Sequence, residues 1–151
     1  MGVVSAMLLA GSKDSASQVI LSTSQATAVG VLNRAKALTL AKYAETQDPN
    51  QLPCGFGVHF DSAKSSFVIY QDSRVPSGSC ETQNHDYIPS DPVIQAIDLD
   101  PRVEFVGAPA DVVFIAPYLR TRGAGIITLR IKNGNQTAAV QVTAGGSITS
   151  L

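Results

Sequence analysis

The stretch Leu21-Ser-Thr-Ser-Gln25-Ala-Thr-Ala28-Val-Gly-Val31-Leu32-Asn-Arg-Ala35-Lys-Ala-Leu38-Thr-Leu-Ala41 decides the architecture. Leu21, Ala28, Val31, Leu32, Ala35, Leu38 and Ala41 recur at helical spacing and make one apolar stripe. No proline interrupts Ser12 to Ala44, so a single long amphipathic helix is expected over residues 12–45. Gln25, Asn33, Lys36 and Lys42 supply its polar positions. Gly30 lies inside it at a cost of up to ~1 kcal/mol relative to alanine, either to permit close packing or simply tolerated. Asp48-Pro49-Asn50 forbids continuation, because proline lacks the amide donor and restricts the residue before it.

Beyond that break the period changes from helix to strand. In Gly55-Phe-Gly-Val-His-Phe60 the side chains of Phe56, Val58 and Phe60 share a face, the pattern of a half-buried strand. Asp61-Ser-Ala-Lys64 is a turn, and Ser66-Phe-Val-Ile-Tyr-Gln71 is the expected hairpin partner. Residues Asp72 to Pro92 are rich in Ser, Pro, Gly, Asn and Asp and read as a long surface excursion. Val93 to Leu99, Arg102 to Val106 and Val112 to Ile115 have strand lengths and are separated by Asp-Pro and Gly-Ala-Pro punctuation. Last, Ile127, Leu129 and Ile131 alternate with Thr128, Arg130 and Lys132, and Asn133-Gly134 leads into Ala138, Val140 and Val142. Asn-Gly favours a type I′ hairpin. The expected class is therefore α+β: a long N-terminal helix packed on antiparallel sheets, without a βαβ pattern or internal repeat.

Composition narrows the function classes. One domain suffices for 151 residues. Eleven Lys and Arg against twelve Asp and Glu leave no global field to gather nucleic acid, anionic lipid or acidic substrate, so any such binding must be local. The opening Gly2-Val-Val-Ser-Ala-Met-Leu-Leu-Ala-Gly11 is apolar but well short of the ~20 residues of a membrane-crossing helix. It either docks on the domain's own core or is the end of a longer membrane helix. The two cysteines, Cys54 and Cys80, are too few for a zinc site by themselves. They are either two buried thiols or a disulfide, which would close a loop of about 27 residues and stabilise the fold by ~3 kcal/mol.

A long N-terminal helix ending in Arg34-Ala-Lys-Ala-Leu38, the run Cys54-Gly-Phe-Gly-Val-His-Phe-Asp61, a Phe-Val-Ile-Tyr-Gln-Asp strand, the Gly-x-x-x-Leu-x-Ile strand from Gly125 to Ile131 and the closing Val140-Gln-Val-Thr-Ala-Gly-Gly-Ser-Ile148 together resemble the GspH and FimT group of pseudopilins and minor pilins. The likeness covers most of the chain. It implies a pilin-like fold, residues 1–11 as the remnant of a hydrophobic prepilin segment, and residues 12–151 as one domain with its β region over 54–151. It also implies a structural subunit of a type II secretion pseudopilus or type IV pilus. Such a subunit is anchored in the inner membrane before assembly, with its soluble domain periplasmic or extracellular. Its partners are other pilin subunits, and it needs neither a small-molecule substrate nor a cofactor. The stripe from Leu21 to Leu38 is expected to pack on its own sheet, which leaves Val3, Val4, Met7, Leu8 and Leu9 for neighbouring subunits. Export to an oxidising compartment favours the Cys54–Cys80 disulfide.

Catalytic material is sparse. His59 is turned away from the Val58 and Phe60 face and expected to be exposed or partly covered. His85, in Asn-His-Asp-Tyr, is expected to be a solvated loop residue, its alternative being a metal ligand with Asp86. Asp91, Asp98, Asp100 and Asp111 are oxygen donors without EF-hand spacing, so no metal site is expected. Neither a phosphate-cradling glycine loop nor a Gly-x-Ser-x-Gly elbow occurs, and no enzyme is expected. The rival is DNA capture, because some FimT-like pilins bind DNA. Arg120 and Arg122, with Arg130 and Lys132 on the polar face of the next strand, are the candidate phosphate contacts. The tail Gly145-Gly-Ser-Ile-Thr lacks the arginines that the DNA-binding relatives carry there.

Overall fold

A computed structural model describes residues 2–45, 53–73, 79–80 and 83–151, and for residues 2–14 the backbone alone. Helix α1 (Gly2–Glu45) takes in the expected segment and the residues before it in one run. Its expected stop at Asp48-Pro49-Asn50 lies outside the described residues. At ~1.5 Å per residue the helix is ~66 Å long. Among the described residues no helix is long and apolar enough to cross a membrane.

Among the described side chains of α1, Leu21, Ser24, Ala28, Val31, Leu32, Ala35 and Thr39 are buried, one stripe at 3.6-residue spacing. Ala41, expected in that stripe, is exposed, because the stripe winds on to Thr39 before the helix leaves the sheets. Gly30 is exposed, and a Cβ added there would meet nothing within 4 Å, so no close packing explains it.

Two antiparallel sheets receive the helix. The first runs β3 (Val93–Asp98), β2 (Ser66–Asp72), β1 (Gly55–Asp61), β5 (Asp111–Ile115), β6 (Arg120–Arg122), with β1 central. The second runs β4 (Val103–Gly107), β7 (Gly125–Ile131), β8 (Thr137–Val142), β9 (Ile148–Ser150). Alternation turns Phe56, Val58 and Phe60 of β1, Phe67 and Ile69 of β2, and Val112 and Phe114 of β5 into one core with Leu32 of the helix. Ile127, Leu129, Val140 and Val142 close it from the second sheet. Phe105 of β4 lies edge-on to both Phe60, at 5.7 Å, and Phe67, at 5.2 Å, and so joins the two sheets. Burying each such side chain stabilises the fold by roughly 1.5–3 kcal/mol.

Polar side chains of α1 tie it to both sheets. Thr39 Oγ1 accepts from the Phe56 amide at 3.1 Å and lies 3.1 Å from the carbonyls of Ala35 and Phe114, either of which can take its proton. Gln25 Nε2 donates to the carbonyls of Ala139 at 2.7 Å and Leu151 at 3.1 Å, and Lys36 Nζ donates to that of Gly146 at 2.8 Å.

Two local expectations need correction. The β7–β8 turn is not a two-residue type I′ turn: Arg130 pairs with Thr137, the Ile131 amide bonds Gln136, and only Asn133 takes positive φ, at 61°. The Gly134 amide bonds the Ile131 carbonyl at 3.0 Å inside this longer loop, and a positive φ at its third residue marks a type II-like turn. Lys132 accordingly sits in the turn and not on the polar face of β7. Second, Arg120-Thr-Arg122, where no strand was expected, is an edge strand paired to β5.

Candidate functional site

The face of the first sheet opposite α1 gathers the polar chemistry. The pairings Gly57↔Tyr70, His59↔Val68, Gly57↔Val113 and His59↔Asp111 place these residues on that face. Gly57 is required by contact: a Cβ there would stand 2.5 Å from the Tyr70 ring, which lies against β1. Tyr70 donates its hydroxyl proton to the His85 carbonyl at 2.7 Å, and burial pushes its phenol well above the usual range. Tyr87 packs on His59, with ring centres 4.8 Å apart, and on Tyr70 at 5.1 Å.

Two His–Asp pairs hold this cover in place. His59 Nδ1 lies 2.9 Å from Asp111 Oδ1, with about a quarter of the imidazole exposed. Burial pushes the Asp111 carboxyl up, against the His59 hydrogen bond that holds it down. The second pair, Asp72 and His85, is buried almost completely. His85 Nε2 sits 2.8 Å from the Cys80 carbonyl, which can only accept, so this nitrogen carries a hydrogen. Nδ1 hydrogen-bonds Asp72 Oδ2. Gln83 donates to the other oxygen, Oδ1, at 3.1 Å. Burial pushes Asp72 above the ordinary carboxylate range, opposed by its bond with His85. The expectation of a solvated His85 is therefore overturned: Asp72, at the end of β2, supplies a partner that offsets the cost of burying the imidazole.

Cys80 is disulfide-bonded to Cys54, with Cα atoms 5.2 Å apart, at the mouth of the same face. Beside it, a pocket of 260 Å³ is lined by Cys80, His85, Pro117, Tyr118, Arg120 and Arg122, among others. Arg120 pairs with Ile115 and Arg122 with Val113, so both arginines share the outer face. No carboxylate among the described residues pairs with either. Arg130, by contrast, meets Glu104 at 2.6 Å, on the second sheet, where Lys132 lines a different pocket. The four candidate phosphate contacts are thus divided between two sheets and two pockets.

Among the described residues no hydroxyl or thiol hydrogen-bonds the ring of either histidine, and no group of three or more His, Cys, Asp or Glu converges. Asp91 caps the Ile88 amide, Asp100 binds Arg102, and Asp111 binds His59. Of Val3, Val4, Met7, Leu8 and Leu9 only the helical backbone is described. Sequence reasoning missed the Asp72–His85 pair and Tyr87, although a tyrosine two residues from a histidine in an otherwise polar excursion was an available signal. Comparison with protein-family models, curated proteins and solved structures finds no match to this chain.

Proposed function

We propose that this chain is a structural subunit of a pilin-like filament, a minor pilin or pseudopilin, which joins its neighbours through the leading part of α1. The observation that carries the reading is the disproportion between helix and domain. Among the described side chains of α1, which begin at Ser15, the buried ones lie between Leu21 and Thr39, ~27 Å at the helical rise, whereas the helical backbone begins at Gly2. Between residues 15 and 20 only Ser17 and Ile20 are even partly covered, and Val19 is 66% exposed. An apolar run on such an extension, Val3 to Leu9, has the composition to bury itself against other copies or sister subunits. The GspH and FimT resemblance supplies the particular assembly, a pseudopilus or type IV pilus with β domains outward.

The test is made with the whole chain in its own host. A photo-reactive residue placed at Val4 or Leu8 is expected to cross-link to other filament subunits in fibres sheared from the cell surface. Aspartate at both positions is expected to abolish incorporation while leaving the folded domain intact. Absence of the chain from sheared fibres and from envelope complexes, together with no cross-link, would sink the reading.

A further inference from the structure

We infer that the pocket between the β5–β6 hairpin and Cys80 is a docking site for an acidic side chain of a partner protein, with an apolar neighbour beside the carboxylate. This goes beyond the filament reading and does not depend on it.

Charge is the first argument. Arg120 and Arg122 present two guanidinium groups on one face of an edge strand, with no carboxylate partner among the described residues. A guanidinium offers a planar fork that matches a carboxylate bidentately. Shape is the second. The lining beside the arginines includes Ile115, Ala116, Pro117 and Tyr118, the last 81% exposed, and so offers apolar surface next to the guanidinium groups. At 260 Å³ the pocket falls below the ~300–1,000 Å³ of drug-sized ligand sites and suits one or two side chains.

Two observations select the partner. Strand addition is blocked, because the Thr121 amide already bonds the Ala144 carbonyl at 3.0 Å, so side chains and not a new strand must make the contact. A long polyanion is disfavoured, because the registers Gly55↔Asp72 and His59↔Asp111 put two carboxylates on this same face of the sheet. With Arg130 already held by Glu104, the basic groups lining this pocket among the described residues are Arg120 and Arg122, enough for one carboxylate and little for a run of phosphates.

The experiment is an NMR titration of the isotope-labelled full chain with the acetylated, amidated dipeptide Glu-Leu, its Gln-Leu counterpart, inorganic phosphate and a short oligothymidylate at low salt. Saturable shifts confined to residues 115–122 are expected with Glu-Leu, at least tenfold weaker binding with Gln-Leu, and weaker binding still with phosphate. The double variant R120Q/R122Q should lose at least tenfold, and R120K/R122K should fall between it and the parent. Tyr118→Ala, which removes an exposed ring and leaves both arginines, should weaken Glu-Leu several-fold and serves if the double variant fails to fold. Equal binding of Glu-Leu and Gln-Leu, or phosphate as tight as Glu-Leu, would overturn the assignment. So would tight oligothymidylate binding that is lost steeply with salt and in R120Q/R122Q, which would make the pocket a nucleic-acid contact.

Discussion

His85 and Asp72 show how much one residue's surroundings decide. Both are buried, and each satisfies the other, so removing one leaves an uncompensated polar group or charge. His85→Ala is expected to destabilise the fold by roughly 3–5 kcal/mol at neutral pH. Because burial raises Asp72, its contribution to stability is complete below the ordinary carboxylate value and is lost as pH rises through its folded value. The variant's penalty should therefore shrink in acid, where the lone carboxyl becomes neutral; denaturant unfolding at two pH values measures it, and a loss under about half a kcal/mol at neutral pH would refute the pairing. Asp100 shows the opposite sign. Its side-chain bond from Arg102, assisted by the Arg102 amide, brings it down to about 2 on the open surface. Its contribution is present above the ordinary 3.8 and fades as pH falls toward 2. A carboxyl-carbon NMR titration should find Asp100 below 3.8 and Asp111 above it, with Arg102→Ala returning Asp100 to the ordinary range.

At the scale of the element, α1 was the most legible part, because its apolar period and freedom from proline extend over many turns. The stripe nevertheless turns on Thr39 where Ala41 was expected, since a hydroxyl that bonds the Phe56 amide is as welcome at that position as a methyl group. Gly30 makes the helix testable: with an open environment and a helical backbone, Gly30→Ala should stabilise by about 0.5–1 kcal/mol. That corresponds to a rise of roughly 1–4 °C in Tm for a chain of this size, read by calorimetry. Strands with alternating apolar residues, β1, β2 and β7, were readable for the same reason as the helix. β6 and β9 were not, because three residues carry no period and their pairing is set by β5 and β8. Asn133-Gly134 correctly marked a turn, but the loop's length follows from register across β7 and β8, which no dipeptide encodes. Of the pocket, the arginines were visible and their shared face was not, since that needed the strand. The burial of His85 depended on a partner thirteen positions back.

For the molecule as a whole, the helix is seated across both sheets, and its bonds to them do not cluster. Gln25, Lys36 and Thr39 reach backbone carbonyls or amides at points spread over ~21 Å of the helix axis, two on the second sheet's side and one at the junction of β1 and β5. Traction along the axis therefore strains all three attachments together with the apolar stripe, as in a lap joint, and cannot peel them one by one. A chain built so would transmit tension from its helix to its sheets without opening. Optical-tweezers extension between residue 15 and the chain's last residue should show one high-force rupture in the parent and a markedly lower one when Gln25, Lys36 and Thr39 are all replaced by alanine. Equal rupture forces would mean that the hydrophobic seam alone bears the strain.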